Sequence, residues 1–181
     1  MRIITGDFKG RRLEMPENYN IRPTTEKVKE AVFSIIAGNL EDAVCVDLFA
    51  GTGNLGLEAL SRGAKKCYFG DNSRESLALI KRNIAMCRAE DRSLVMPGDF
   101  EKVLARLGEK DEKIDIFFLD PPYREGLYDK CFELIREYDL LAEEGIIIAE
   151  HNVKDVLCEG ICGFQLIKER TYGTVAITIY G

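Results

Sequence analysis

The stretch Ile114-Asp115-Ile116-Phe117-Phe118-Leu119-Asp120-Pro121-Pro122-Tyr123 runs an almost wholly apolar segment into a carboxylate, two prolines and an aromatic ring. Pro121 and Pro122 fix φ and stiffen the turn, so Asp120 is held in place. Such a set suits one task. The exocyclic amine of a nucleobase is a poor nucleophile because its lone pair is delocalised into the ring. If a carboxylate oxygen of Asp120 and the main-chain carbonyl of Pro121 both accept its hydrogens, the nitrogen is held with its lone pair aimed at an alkyl donor, and developing positive charge is stabilised. Tyr123 would stack on the splayed base, a contact worth roughly 1–3 kcal/mol. The plainer alternative is a rigid strand exit with Tyr123 packed on the core.

A glycine loop supplies the second ingredient. Gly51, Gly53 and Gly56 fit G-x-G-x-x-G directly after the apolar run 44–49, and Asp71 follows Gly51 by 20 residues, where an acid can accept both hydroxyls of a ribose. The pattern leaves NAD and S-adenosylmethionine open. Asp47, inside the end of the first strand, would repel a pyrophosphate but suits a ligand bearing a sulfonium and an amino-acid group. Gly98-Asp99-Phe100 offers a carboxylate and a backbone N–H that could read an adenine edge, although Asp99 serves equally well as a helix N-cap. The expected cofactor contacts are therefore Asp47, Phe49, Gly51, Thr52, Gly53, Asp71, Asn72, Asp99 and Phe100, with S-adenosylmethionine the favoured ligand.

These residues need a frame that brings two strand exits together. Apolar runs at 44–49, 67–70, 93–96, 114–119 and 145–149 alternate with helical patterns at 54–62, 74–87, 99–107 and 127–138. Strands flanked by helices imply βαβ units and a parallel sheet covered on both sides. In such sheets ligands bind beyond the carboxyl ends of the strands at the switch point, which would set the 120–123 loop against the glycine loop. The tail, 164–169 and 174–180 around Tyr172-Gly173, reads as an antiparallel hairpin at one edge. Residues 1–15 read as another hairpin, and Val28, Ala31, Val32, Ile35 and Ile36 form one stripe of a helix capped by Thr24 or Thr25. Residues 1–40 thus form an N-terminal hairpin and helix extension to a nucleoside-binding domain over 41–181.

Composition narrows the class. The 181 residues carry 46% hydrophobic and 31% charged side chains, which excludes disorder, collagen and coiled coil as global descriptions. No apolar run approaches a membrane span and the opening residues lack a signal-peptide core, so a cytoplasmic chain is expected. Of the six cysteines none form C-x-x-C, and with His151 the single histidine no metal site is expected; the cysteines read as small hydrophobes, mostly buried, and His151, just past the fifth strand, as structural or surface. The net charge of −6 argues against diffuse nucleic-acid binding, yet residues 1–12 set Arg2, Lys9, Arg11 and Arg12 against Asp7 alone, leaving −9 for the rest. A basic patch on an acidic body suggests a local polyanion contact, or an edge hairpin protected by charge.

Asp47-Leu48-Phe49-Ala50-Gly51-Thr52-Gly53, the run Leu57-Glu58-Ala59-Leu60-Ser61-Arg62-Gly63-Ala64, Asp120-Pro121-Pro122-Tyr123, and upstream Arg22-Pro23-Thr24 with Glu30-Ala31-Val32-Phe33 resemble a class I methyltransferase of the RsmD family, bacterial enzymes that methylate the exocyclic N2 of a guanine in 16S ribosomal RNA. The resemblance spans nearly the whole chain. It implies an α/β fold with a Rossmann-like, seven-stranded, mostly parallel sheet and an antiparallel C-terminal hairpin. It also implies S-adenosylmethionine as donor and RNA presented within the small ribosomal subunit or a precursor. Arg2, Lys9, Arg11, Arg12 and Arg22, grouped in an extension that the cofactor fold does not require, are the expected phosphate contacts, and a monomer is expected. Three departures stand out: Asp71 where relatives often have Glu, Lys29 where Arg is usual, and Tyr123 where some have Phe. The rival readings are an adenine-N6 methyltransferase, an NAD-dependent oxidoreductase, which gives Asp120 no purpose, and an inactive binding module.

Overall fold

The computed structural model describes residues 1–16, 23–121, 126–155 and 157–181. In chain order the elements are α1 (Pro23–Ile35), β1 (Val44–Asp47), α2 (Asn54–Ser61), β2 (Lys66–Asp71), α3 (Arg74–Cys87), β3 (Ser93–Pro97), α4 (Phe100–Gly108), β4 (Ile114–Leu119), α5 (Leu127–Glu137), β5 (Leu141–Asn152), β6 (Gly160–Ile161), β7 (Phe164–Tyr172) and β8 (Val175–Tyr180). They form one sheet in the order β3-β2-β1-β4-β5-β8-β7-β6. The first five strands are parallel, and β8, β7 and β6 join antiparallel. The sheet is the expected one with a two-residue eighth strand added at its edge. Chain direction across the sheet reverses between β1 and β4, so a crevice opens beyond their carboxyl ends.

Strand alternation splits the core in two. Cys45, Ile116, Phe118, Ile146 and Ile148 face the first cluster, with Leu57, Leu60, Ile80 and Ile84 from the covering helices. Val46, Phe117, Leu119 and Ile147 face the second, with Leu104, Leu107, Phe132 and Ile135. Both faces are buried, which is why these strands read as continuous apolar runs and not as alternating ones.

Residues 1–16 form the expected hairpin in a looser form, with one antiparallel bridge between Arg2 and Arg12 and hydrogen bonds from Ile3 N to Arg11 O and from Leu13 N to Met1 O, both 3.0 Å. Ile3, Phe8 and Leu13 lie in the first cluster beside Val28, Val32, Phe33 and Ile36 of α1 and its C-terminal end. The α1 stripe is rotated from the expected one: Ala31 and Ile35 are half-buried, while Phe33 is fully buried with its ring 5.6 Å from that of Phe118 on β4. The residues of the hairpin and α1 named here therefore share a core with the central strands. Four cysteines are buried, and Cys158 and Cys162 are exposed. Among the described residues no helix is long and apolar enough to cross a membrane.

Candidate active site

The glycine loop is shaped by its own backbone and by two aspartates. Gly53 adopts φ +78° as the residue that starts α2, a conformation L side chains rarely take. A Cβ on Gly56 would fall 2.4 Å from the ring of Phe69 and 2.6 Å from the Cys67 sulfur, so this glycine lets α2 press onto β2. Asp71, at the end of β2, accepts from Gly51 N (2.9 Å) through Oδ2 and from Ser73 N (2.8 Å) through Oδ1. The acid expected on a ribose is thus engaged with the loop itself.

Asp47 is 3% exposed at the end of β1, and its Oδ2 accepts from Gly56 N at 2.9 Å. Burial pushes its carboxyl up to about 7; the Gly56 hydrogen bond opposes the shift, and the charges of Asp120 and Asp71 add to it. Asp47 pairs with Phe118, which pairs with Ile148, across β1, β4 and β5. Because side chains alternate, the residues two further on, Asp120 and Glu150, project to that same face. Asp120 is exposed and Glu150 half-buried by surface area, yet the surrounding protein desolvates both carboxyls enough to raise them, and the charge of Asp120 raises Glu150 further.

These three acids line a cavity of about 260 Å³ with Phe49, Gly51 and Thr52 of the glycine loop, Lys29 and Asn54. Lys29, 2% exposed, donates to Asn54 Oδ1 (2.7 Å) and to Arg2 O (2.6 Å) and pairs with Glu58 at 3.0 Å; burial lowers its pKa despite Glu58. The cavity wall is therefore strongly acidic, with one compensated ammonium at the side. Among the described residues no three acidic, histidine or cysteine side chains are grouped as metal ligands.

The expected contacts divide. Asp47, Phe49, Gly51, Thr52 and Asp120 share the cavity, and Phe100 reaches its rim through its ring, 5.8 Å from that of Phe49. Asp99 caps α4, accepting from Lys102 N at 2.9 Å and pairing with Lys102 Nζ at 2.9 Å. Asn72 is exposed and Pro121 buried. Pro122, Tyr123 and Arg22 lie outside the described residues. Of the basic residues, Arg2, Lys9 and Arg12 are exposed on the hairpin, with Arg2 3.4 Å from Glu26. Arg11 is half-buried, donates to Met86 O and lies over the Phe8 ring. His151 is buried, with Nε2 2.7 Å from Thr178 Oγ1, as a structural histidine should be. Sequence reasoning missed Glu150, although it follows the expected strand 145–149 as Asp120 follows 114–119; in the structure β5 continues through it to Asn152.

The family model described as "conserved hypothetical protein 95" matches residues 1–181. The chain is 34% identical over 180 residues to the ribosomal RNA small subunit methyltransferase D of Escherichia coli (strain K12), covering 99% of this chain and 89% of that one, and 37% identical over 180 residues to YlbH of Bacillus subtilis (strain 168), covering 99% and 98%. It superposes on the solved structure of yhhF from Escherichia coli with a TM-score of 0.88 at 33% identity, covering 99% of this chain and 96% of that one. With an acidic cavity between the glycine loop and the Asp120 strand exit, an α/β sheet of methyltransferase type and full-length matches of this kind, the chain belongs to the conserved hypothetical protein 95 family, the RsmD family that its motifs resemble.

Proposed function

We propose that this protein transfers a methyl group from S-adenosylmethionine to the exocyclic N2 amine of a guanine in 16S ribosomal RNA. The observation that carries the reading is Asp120 at the exit of β4, on the same sheet face as buried Asp47 and one strand from the glycine loop. The cavity fits the cofactor by charge: a buried carboxylate raised to about 7 favours a cationic ligand, which lets it ionise, and disfavours a pyrophosphate. When bound, S-adenosylmethionine supplies a methyl on a sulfonium that departs as a neutral thioether.

Every other step belongs to the chain. Asp120 and the Pro121 carbonyl would accept the two hydrogens of the flipped base's amine and so orient its nitrogen lone pair toward the bound donor, whose methyl it would take as the sulfur leaves as thioether. The nitrogen then sheds one proton to Asp120 or water. Arg2, Lys9 and Arg12 on the hairpin, next to the cavity, contact phosphates of the small subunit or its precursor.

The test is incubation with labelled S-adenosylmethionine and small subunits lacking the modification, followed by mapping of the labelled nucleotide. Label at a guanine N2 is expected; label only on adenine, or none, overturns the reading. A thermal-shift comparison addresses the cofactor: stabilisation by S-adenosylhomocysteine and not by NAD is expected, and the reverse removes the donor.

A further inference from the structure

Glu150 is an acid in the cavity wall that the transfer above leaves without a task. The pairing of Leu119 with Ala149 sets Asp120, just past the end of β4, beside Glu150 of the neighbouring parallel strand β5, about 4.8 Å apart at the backbone. Both project to the face of Asp47 and both line the cavity. The main chain at Glu150 is anchored on two sides: Tyr128 donates its hydroxyl to Glu150 O, and the following residue, His151, is fixed by Thr178 at 2.7 Å. The direction in which the Glu150 side chain leaves the strand is thereby set. No donor among the described residues reaches its carboxyl, although a carboxylate can accept up to about four hydrogen bonds.

Two adjacent acceptors match two adjacent donors. The Watson–Crick edge of guanine presents N1–H beside the N2 amine, whereas adenine presents an N1 lone pair beside its N6 amine. We propose that Glu150 is a specificity residue: its carboxylate accepts N1–H of the purine whose amine Asp120 holds, so the pair reads a guanine edge. This rests on the guanine-amine reading above and adds to it a reason for base choice. Against adenine, or any purine lacking N1–H, the second carboxylate faces a lone pair, and a site built around a hydrogen bond discriminates strongly against a ligand that cannot make it. Desolvation and the neighbouring charge of Asp120 raise the Glu150 carboxyl, which a donor arriving with the base would relieve.

The experiment uses small subunits carrying either guanine or 2-aminopurine at the nucleotide mapped above. The analogue keeps the N2 amine and replaces N1–H by a lone pair. At pH 8.5 the wild-type protein is expected to prefer guanine by at least about 30-fold in kcat/KM. Glu150→Gln, whose amide can donate, should compress that preference to within about threefold, and Glu150→Asp should keep it. Binding of S-adenosylhomocysteine by both variants serves as the control for folding. Equal wild-type rates on guanine and 2-aminopurine, or a Glu150→Gln variant that loses both substrates in proportion, overturn the inference. A wild-type protein that leaves guanine itself unmethylated overturns the transfer reading instead.

Discussion

The acids around the glycine loop are provisioned in two ways, Glu58 in one and the cavity acids Asp47, Asp120 and Glu150 in the other. Glu58 on α2, fully buried, receives Ile4 N (2.9 Å), Thr5 N (3.1 Å), Arg62 Nε (2.8 Å) and the Lys29 ammonium at 3.0 Å. The cavity acids receive far less. Asp47 has the one donor from Gly56, and no donor among the described residues reaches Asp120 or Glu150. A buried carboxylate costs several kcal/mol unless its lone pairs are met; Glu58 meets that cost within the fold, whereas Asp47 is buried with one donor, Glu150 is half-buried and Asp120 is exposed, all three with acceptors open to a ligand. The satisfied group fastens the N-terminal hairpin to α2. The other faces the space where donors must arrive with cofactor and substrate.

The largest effect should come from breaking the satisfied group. Glu58→Ala leaves the Lys29 ammonium buried without its counter-charge and strips acceptors from two main-chain N–H groups. A loss of about 3–5 kcal/mol in urea unfolding is expected. The same truncation at Glu150 removes a like charge from beside Asp120 and should leave stability unchanged or raised. Equal losses at both positions would erase the distinction between them.

Asp120→Ala comes next. Methyl transfer should fall at least roughly 100-fold while affinity for S-adenosylhomocysteine, measured by calorimetry, stays nearly unchanged. Comparable turnover would place the chemistry elsewhere in the cavity. A parallel loss of cofactor affinity would make Asp120 part of the cofactor's own pocket.

How much of this was legible in the sequence follows from the same division. Parallel strands buried on both faces announce themselves as apolar runs, and the expected frame needed only a two-residue edge strand added. The glycine loop and Asp120 were legible because their chemistry is local. Partner choice was not. That Asp71 accepts from Gly51 N and that Asp99 caps α4 depends on donors three to twenty residues away. Phe33 was missed because a helix stripe read at 3.6 residues per turn does not know that Phe118 waits on the sheet beneath. Glu58 passed as part of a motif, its role as a junction fixed by hairpin N–H groups more than 50 residues away in sequence.

The basic hairpin repeats the contrast between committed and available groups on a smaller scale. Arg11 is committed to Met86 O and the Phe8 ring, whereas Lys9 and Arg12 are exposed. Replacing Lys9 and Arg12 with Ala should weaken RNA binding and reduce the slope of log K against log salt by roughly 1.5, at about 0.7–0.9 per phosphate contact. Arg11→Ala should leave the slope alone and lower the melting temperature. A slope that responds to Arg11 and not to the other two would reverse their roles.

The smallest effect reads the unsatisfied group directly, through pH. Asp47 is raised from its ordinary value to about 7 by burial and by the neighbouring charges of Asp120 and Asp71, with Glu150 on the same face. A carboxyl raised on folding binds a proton more tightly in the native state, so its contribution to stability is full at acid pH and is lost as pH rises through the native value. Between pH 6 and pH 8 the ligand-free protein should therefore lose stability, by about 1 kcal/mol from Asp47 alone. Asp47→Asn keeps an acceptor for Gly56 N and cannot ionise, so it should flatten that part of the profile. Saturating S-adenosylmethionine, which brings positive charge to the cavity, should flatten it as well by drawing the carboxyl back toward its ordinary value. A ligand-free protein whose stability rises from pH 6 to pH 8 would mean that the cavity acids are better supplied than Glu58, and the contrast between the two groups would fall.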